Sequence, residues 1–218
     1  MPNLAVPARY DLLVIGGRVQ RVLVDANILY SRTLRDWLSL LYLRGGLAMF
    51  QVFWTEDIMA ETLYWRRKKN PFLSENQIGG IRRRVAATFG DDSVITGYRI
   101  DDTVVYPDVF DAHVHGAAIH GDIDVVLTAN PADFDMDEFD DLPYEVYSAD
   151  AFFQLIDDSQ PQLVRRVMEE QLAYWVPRKG KALPEALRDA DAPVFAERIR
   201  IYLQAADIQR ILDAAASI

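Results

Sequence analysis

"RVLVDANILY", Arg21 to Tyr30, places an aspartate and an asparagine at the end of an apolar run, and the fold turns on how that junction is read. Val22, Leu23 and Val24 are a run of apolar residues suited to a strand covered on both faces of a sheet. Asp25 falls where such a strand should end. Asn27, two residues on, shares its side if the extended geometry continues that far. Asp25 then has two readings. It is an N-cap for the helix "ANILYSRTLRDWLSLLYL", or the first ligand of a site at the carboxyl rim of an open α/β sheet, where such folds bind their ligands. On this stretch alone the cap is the simpler reading.

Outward from that junction the pattern alternates. Thr33 to Leu43 is apolar at helical spacing and "RGG" (Arg44 to Gly46) stops it. "LAMFQVFW" predicts a strand, and "TEDIMAETLYWRRKK" a helix opened by Thr55 and closed at Asn70-Pro71. "SENQIGGIRRRVAATFG" predicts another helix and "SVITGYRI" a strand. "DVFDAHVHGAAIHG" then reads as a helix, "IDVVLTAN" as a buried strand, and "YEVYSADAFFQLI" as strand, turn and helix with Ser148 as cap. Such alternation from about residue 20 to 155 predicts an α/β domain with a mainly parallel sheet. Beyond Ser159-Gln160-Pro161 every signal is helical. The expected organisation is an N-terminal extension (1–19), an α/β domain (20–157) and a small all-helical C-terminal domain (158–218).

Composition narrows the chemistry. Half of the 218 residues are hydrophobic, enough for one compact domain with an appendage. There is no cysteine, which excludes disulfides, thiolate zinc sites and cysteine nucleophiles. No apolar run approaches the ~20 residues of a membrane span, and no signal peptide is read at "MPNLAVPARYDLLVIGG", so a cytoplasmic protein is expected. The formal net charge of −10 argues against binding nucleic acid by bulk electrostatics. Its distribution is uneven. From Thr62 to Arg84 there are seven bases (Arg66, Arg67, Lys68, Lys69, Arg82, Arg83, Arg84) against one acid, whereas Asp133 to Asp158 holds ten acids and no base. These are either two solvated faces or a local basic track for a polyanion on an acidic protein.

Two motifs mislead. "YDLLVIGGRV" has the opening of a dinucleotide-binding unit, but Gly16-Gly17 runs into another strand rather than a helix, so a hairpin turn is expected. "DAHVHG" offers the H-x-H pair of an amidohydrolase metal site. The only further histidine is His120, and the chain is too short for that barrel. His113 and His115 are expected to be helix residues that cap, hydrogen-bond or face solvent.

The remaining acids fall into a pattern. Asp25 ends a strand, Glu61 lies on the helix begun at Thr55, Asp108 and Asp111 open the helix "DVFDAHVHGAAIHG", and Asn130 and Asp133 follow the strand "VVLTAN". One sheet edge would gather them. A rim of carboxylates without histidine or thiolate suits a hard cation bound through oxygen, and converging carboxylates need such a partner to offset their repulsion.

"VLVDANILY", then "TEDIMAE", then "YPDVFDAHVHGAAIHGDIDVVLTANPADF" resembles, in order and spacing, PIN-domain ribonucleases, and most closely the VapC-type toxins of toxin–antitoxin pairs. The resemblance covers residues 21 to about 150, and the helical tail is similar to the C-terminal extension of longer VapC-like toxins. It implies a PIN-like α/β/α sandwich around a mainly parallel sheet, and a metal-dependent endoribonuclease that uses Mg²⁺ or Mn²⁺. Asp25, Glu61 and Asp111 match the family's first three acids. Asn130 stands where the family commonly has a fourth, and Asp133 is the substitute three residues on. The resemblance implies that these four acids are catalytic and hold the metal, while Asn27, Thr128, Asn130 and Asp108 orient them. Asp25 and Asp111 would bind directly, with Glu61 and Asp133 acting through water or on a second ion. In-line attack would leave a 5′-phosphate and a 3′-hydroxyl.

The seven bases would then track RNA phosphates, with Tyr64 and Trp65 either stacking on bases or, more simply, packed in the core. Partners implied are RNA, an antitoxin protein that covers the acids, and a second copy in a homodimer. The alternatives left open are a catalytically weakened PIN-like RNA-binding or regulatory module and a nuclease acting on structured DNA. Any one acid could be a simple cap or ion-pair member. A cap at each of them does not explain their joint position, which favours the ligand reading at Asp25.

Overall fold

The computed structural model describes residues 19–45, 49–134 and 142–216. The readings of residues 1–18, including the turn at Gly16-Gly17, and of the helix stop at Gly46 lie outside them. Four strands form one all-parallel sheet: β1 (Gln20–Val24), β2 (Phe50–Phe53), β3 (Val125–Leu127) and β4 (Glu145–Tyr147), in the order β2-β1-β3-β4. Val22 pairs with Val52 on one side and Val125 on the other, so these three share one face, while Leu23, Phe53 and Val126 share the opposite one. All of Val22, Leu23 and Val24 are fully buried. That is the environment a strand without polar alternation requires.

Each face has its helices. α1 (Ala26–Tyr30) and α2 (Arg32–Gly45) follow β1, and α3 (Glu56–Lys69) and α4 (Glu75–Phe89) follow β2. α5 (Ala112–His120) precedes β3, and α6 (Ala149–Ser159) follows β4. Phe50 meets Tyr42 of α2 and Phe152 of α6, with ring centroids 6.1 and 5.4 Å apart, which fixes those helices on the Val22 face. On the other face the Arg21 guanidinium lies 4.0 Å from the Phe53 ring and donates to the Gly121 carbonyl at the end of α5. Gly116 allows α5 to lie against the preceding loop, because a Cβ there would come within 2.5 Å of the Arg99 carbonyl oxygen. The helix starts expected at Thr55 and Ser148 are capped, their side chains accepting from the Ile58 and Ala151 amides, and Ser74 caps α4 in the same way by accepting from the Gln77 amide.

Beyond Pro161 the chain is helical throughout the described residues: α7 (Pro161–Trp175), α8 (Leu183–Arg188), α9 (Pro193–Ala205) and α10 (Ile208–Ala216). α7 packs on α2 and α6, and Phe195 of α9 makes ring contacts with Trp37 of α2 and Phe153 of α6 at 5.1 and 5.2 Å. Leu163, Val167, Phe195 and Ile199 belong to the same hydrophobic cluster as the sheet.

Two local expectations are corrected. The helix expected over "ANILYSRTLRDWLSLLYL" is broken at Ser31, whose backbone is extended. The Ser31 hydroxyl accepts from the Leu34 amide at 3.4 Å and its carbonyl from Arg35 at 3.0 Å, which starts α2 afresh. The Arg35 guanidinium then folds back to the buried Leu29 carbonyl and satisfies an acceptor that the end of α1 leaves open. "SVITGYRI" is no strand. It makes one parallel bridge, Val94 to Trp54, before Gly97 at φ +76° turns the chain away.

Candidate active site

The strand order reverses direction at β1, with β2 on one side and β3 on the other. The crevice beyond the carboxyl ends of β1 and β3 is therefore the topological switch point of the sheet. Asp25 prolongs the β1–β3 pairing, its amide donating to the Leu127 carbonyl at 3.0 Å. Its carboxylate is nearly fully buried and has three donors: the Ala26 amide, the Asn27 amide side chain at 2.7 Å and the Thr128 hydroxyl at 2.8 Å. Asp25 is thus a cap of α1 and a rim group at once. Asn27 also accepts from the Ala129 amide at 2.9 Å, tying the two strand ends together. Burial raises the Asp25 carboxyl above its ordinary value, against the lowering effect of the Thr128 and Ala26 donors.

Three other segments converge on this point. α3 is anchored beside α1 by the Thr62 hydroxyl, which lies 3.3 Å from the Ala26 carbonyl and donates to that of Ile58 at 2.8 Å. Its buried stripe is Ile58, Met59 and Thr62. The neighbouring stripe, Glu61, Tyr64, Trp65 and Lys68, lies at helical spacing and faces the cleft. Glu61 accepts from the Trp65 indole at 3.1 Å and stands 4.0 Å from His113 Nε2. Tyr64 and Trp65 are 58% and 45% exposed, which corrects their expected place in the core. Asp111 occupies the N-cap position of α5 but makes no side-chain cap bond there. Asp133 is carried by a short 3-10 turn, Pro131–Phe134.

Asp25, Glu61, Asp108, Asp111, Asn130 and Asp133 therefore border one cleft of about 870 Å³. The tightest group within it is Asp108, Asp111 and Asp133, whose oxygens lie within 4.8 Å of one another. The sequence reading placed Asp108 in an orienting role, and it does support the turn by accepting from the Phe110 amide at 2.8 Å. Its membership in the carboxylate triad was missed, and the signal was its three-residue spacing from Asp111 across one helical turn. The two histidines hydrogen-bond: Nδ1 of His113 donates to the Phe110 carbonyl at 2.8 Å, and that of His115 lies 2.6 Å from the Tyr144 hydroxyl.

The electrostatics follow from the crowding. Burial, then the charges of Asp25, Asp108, Asp133 and Glu61, push the Asp111 carboxyl up to about 7. An all-oxygen donor set in which one member resists ionisation fits a hard divalent cation such as Mg²⁺ or Mn²⁺. A stability effect follows. Without metal, folded Asp111 keeps a proton that the unfolded chain releases, from its ordinary value of 3.8 up to about 7. Stability is therefore expected to fall as pH rises through that window and to level off above it. Urea midpoints measured in EDTA across this range should show the fall, Asp111→Asn should flatten it, and Mn²⁺ at high pH should reverse it. An unchanged slope in the variant would assign the effect elsewhere.

The seven expected RNA-binding bases do not act as one group. Lys68 and Lys69 border the acidic cleft, and Arg66 and Arg84 border a neighbouring one. Arg67 donates to the Pro71 and Leu73 carbonyls, Arg82 pairs with Glu56, and Arg83 donates to the Asn76 carbonyl. Among the described residues no helix is long and apolar enough to cross a membrane. Comparison of the chain with protein-family models, with curated proteins and with solved structures gave no match.

Proposed function

We propose that the protein is a metal-dependent endoribonuclease, with residues 20–157 PIN-like and the helices beyond as its C-terminal extension. The observation that carries the reading is the gathering of five carboxylates at the switch point, with Asp111 at their centre. Asp108, Asp111 and Asp133 would hold Mg²⁺ or Mn²⁺. The chemistry supplied there by a bound divalent cation would be a lowered pKa of its water and an offset of charge on the phosphoryl oxygens. Asp25, fixed by Thr128 and Asn27, and Glu61, fixed by Trp65, keep their carboxylates directed into the cleft, where they orient the attacking water. Lys68 and Lys69 balance substrate phosphates at its edge, and the exposed Tyr64 and Trp65 offer stacking surfaces for bases. The VapC resemblance supplies the toxin role, a cytoplasmic setting and an antitoxin that covers the carboxylates.

Purified protein is expected to cut total RNA into discrete fragments with Mn²⁺ and not with EDTA. No cutting and no Mn²⁺ binding heat from folded protein would reject the nuclease. Asn130 on the cleft wall favours one second reading, a weakened RNA-binding module. Asn130→Asp decides its weight. The added charge is expected to tighten Mn²⁺ binding severalfold in calorimetry and to lower the melting temperature in EDTA, because like charges within one cleft repel. Cleavage that rises with affinity would mark the wild-type site as attenuated.

A further inference from the structure

α1 carries Asp25 at one end and Tyr30 at the other, and Tyr30 borders three clefts. The acidic cleft shares Asn27, Tyr30 and Lys69 with a second of about 460 Å³. The second shares Tyr30, Arg32, Asp36 and Gln171 with a third of about 670 Å³. The three adjoin through these shared wall residues, and the third has the opposite charge to the first. Arg32 and Arg35 from α2, Arg66 from α3 and Arg84 from α4 all border the third cleft. Asp36 and Glu170 are the acids on its wall. Glu170 is engaged two-pronged by Arg44 at 2.8 and 2.9 Å, and Asp36 lies 3.5 Å from Arg32. Burial, reinforced by the charges of Arg84, Arg66 and Arg32, draws Arg35 down to about 10. With Arg35 buried and turned to the Leu29 carbonyl, Arg32, Arg66 and Arg84 remain in excess of Asp36, which suits a ligand with several negative charges. The opposite wall is α7, through Gln171 and Tyr174, and Trp175 lies under the Arg32 guanidinium at 4.3 Å.

We propose that this arginine groove is a second binding site for the strand that enters the acidic cleft. A single-stranded RNA backbone passes along α1 by Tyr30 and lays its flanking phosphates among Arg32, Arg66 and Arg84. The inference rests on the nuclease reading. The five residues of α1 span roughly 7.5 Å, about two phosphate spacings of a stacked strand. The flank therefore reaches the groove within a few nucleotides of the carboxylates. The preferred substrate is RNA with an unpaired flank, not a di- or trinucleotide. The C-terminal helices become part of the substrate site, since α7 forms one wall.

The test measures binding of labelled oligouridylates of about twelve and about three nucleotides to the full chain in EDTA, by fluorescence anisotropy over a salt series. Arg66→Gln/Arg84→Gln is expected to weaken the longer RNA about tenfold and to reduce its salt slope by roughly 1.4, or about 0.7 for each lost phosphate contact. The trinucleotide should bind as to wild type. Arg188→Gln/Arg200→Gln removes the same charge from residues paired with Glu197, outside all three clefts, and should change neither. Arg84→Gln alone, exposed on α4, should give about half the slope change if the double variant melts early. Equal weakening by both pairs, no weakening, or equal loss on the trinucleotide would each overturn the groove. So would tighter binding of polyglutamate than of RNA, which would assign the groove to an acidic protein segment. Persistent Mn²⁺-dependent cleavage with groove variants that bind like wild type defeats this inference alone. Absence of both cleavage and RNA binding in the wild type defeats the nuclease reading with it.

Discussion

Asp111→Asn is expected to reduce RNA cleavage by at least about 10³-fold, because the ion's transition-state stabilisation is worth several kcal/mol and each 1.36 kcal/mol is a factor of ten. The site makes this substitution clean. Asp111 makes no side-chain cap bond, so the amide forfeits no structural hydrogen bond and keeps the volume of the side chain. It does remove the charge at the centre of the carboxylates. The variant should therefore be more stable than wild type at neutral pH without metal, while binding Mn²⁺ weakly. Asp25→Asn should be as inactive but less stable. Its Oδ2 accepts from both Asn27 and Thr128, and its Oδ1 from Ala26, so an amide nitrogen at either position faces a donor. Single-turnover cleavage with Mn²⁺ calorimetry separates the effects. Asp111→Asn cutting at near wild-type rate would remove the carboxylates from the chemistry.

Phe195→Ala is expected to cost about 3–5 kcal/mol of stability, the usual range for emptying a buried aromatic site. Phe195 is fully buried and packs edge-on against Trp37 and tilted against Phe153, so its removal opens space between α9 and two helices of the α/β body. Neither Trp37 nor Phe153 can collapse into that space without losing its own contacts. Because the cavity lies between the helical extension and the body, both should lose stability together. Urea unfolding followed separately by far-ultraviolet circular dichroism and by tryptophan fluorescence should show one coincident transition, moved to lower denaturant. Two separated transitions, with only the smaller one moved, would show that α7 to α10 fold independently.

The elements visible in the residue pattern were those whose reasons are local. β1, β3 and β4, and the helices capped by Thr55, Ser74 and Ser148, follow from apolar runs and side chains that bond a few residues away. The features missed depend on groups distant in sequence or in space. Ser31 breaks a run of good helix formers because Arg35 can turn back on Leu29, which no propensity encodes. Tyr64 and Trp65 look like core residues until α3 is rotated so that Ile58 and Met59 face inward. Asp25, Asp108, Asp111 and Asp133 stood out by their places at strand ends and helix starts, whereas Glu61, inside α3, had no such place and its ligand role rested on the family resemblance. That Asp108, rather than Asp25, completes the closest triad depends on the course of the loop before α5. The division of the bases likewise had to await their partners, since Arg82 beside Glu56 and Arg84 in a groove look alike in the sequence.

The edges of the sheet bear on how copies of the chain can associate. A long open edge strand invites another copy to add to it, which ends in aggregation or domain exchange. Here β4 has three residues, and it begins with an exposed glutamate. Just past the carboxyl end of β2 the chain returns at Ser93–Ile95, with Trp54 donating to the Ser93 carbonyl and accepting from the Ile95 amide at 3.0 and 2.9 Å. Among the described residues both edges offer only short templates for an added strand, four residues at β2 and three at β4, and the bridge at Val94 blocks extension past Phe53.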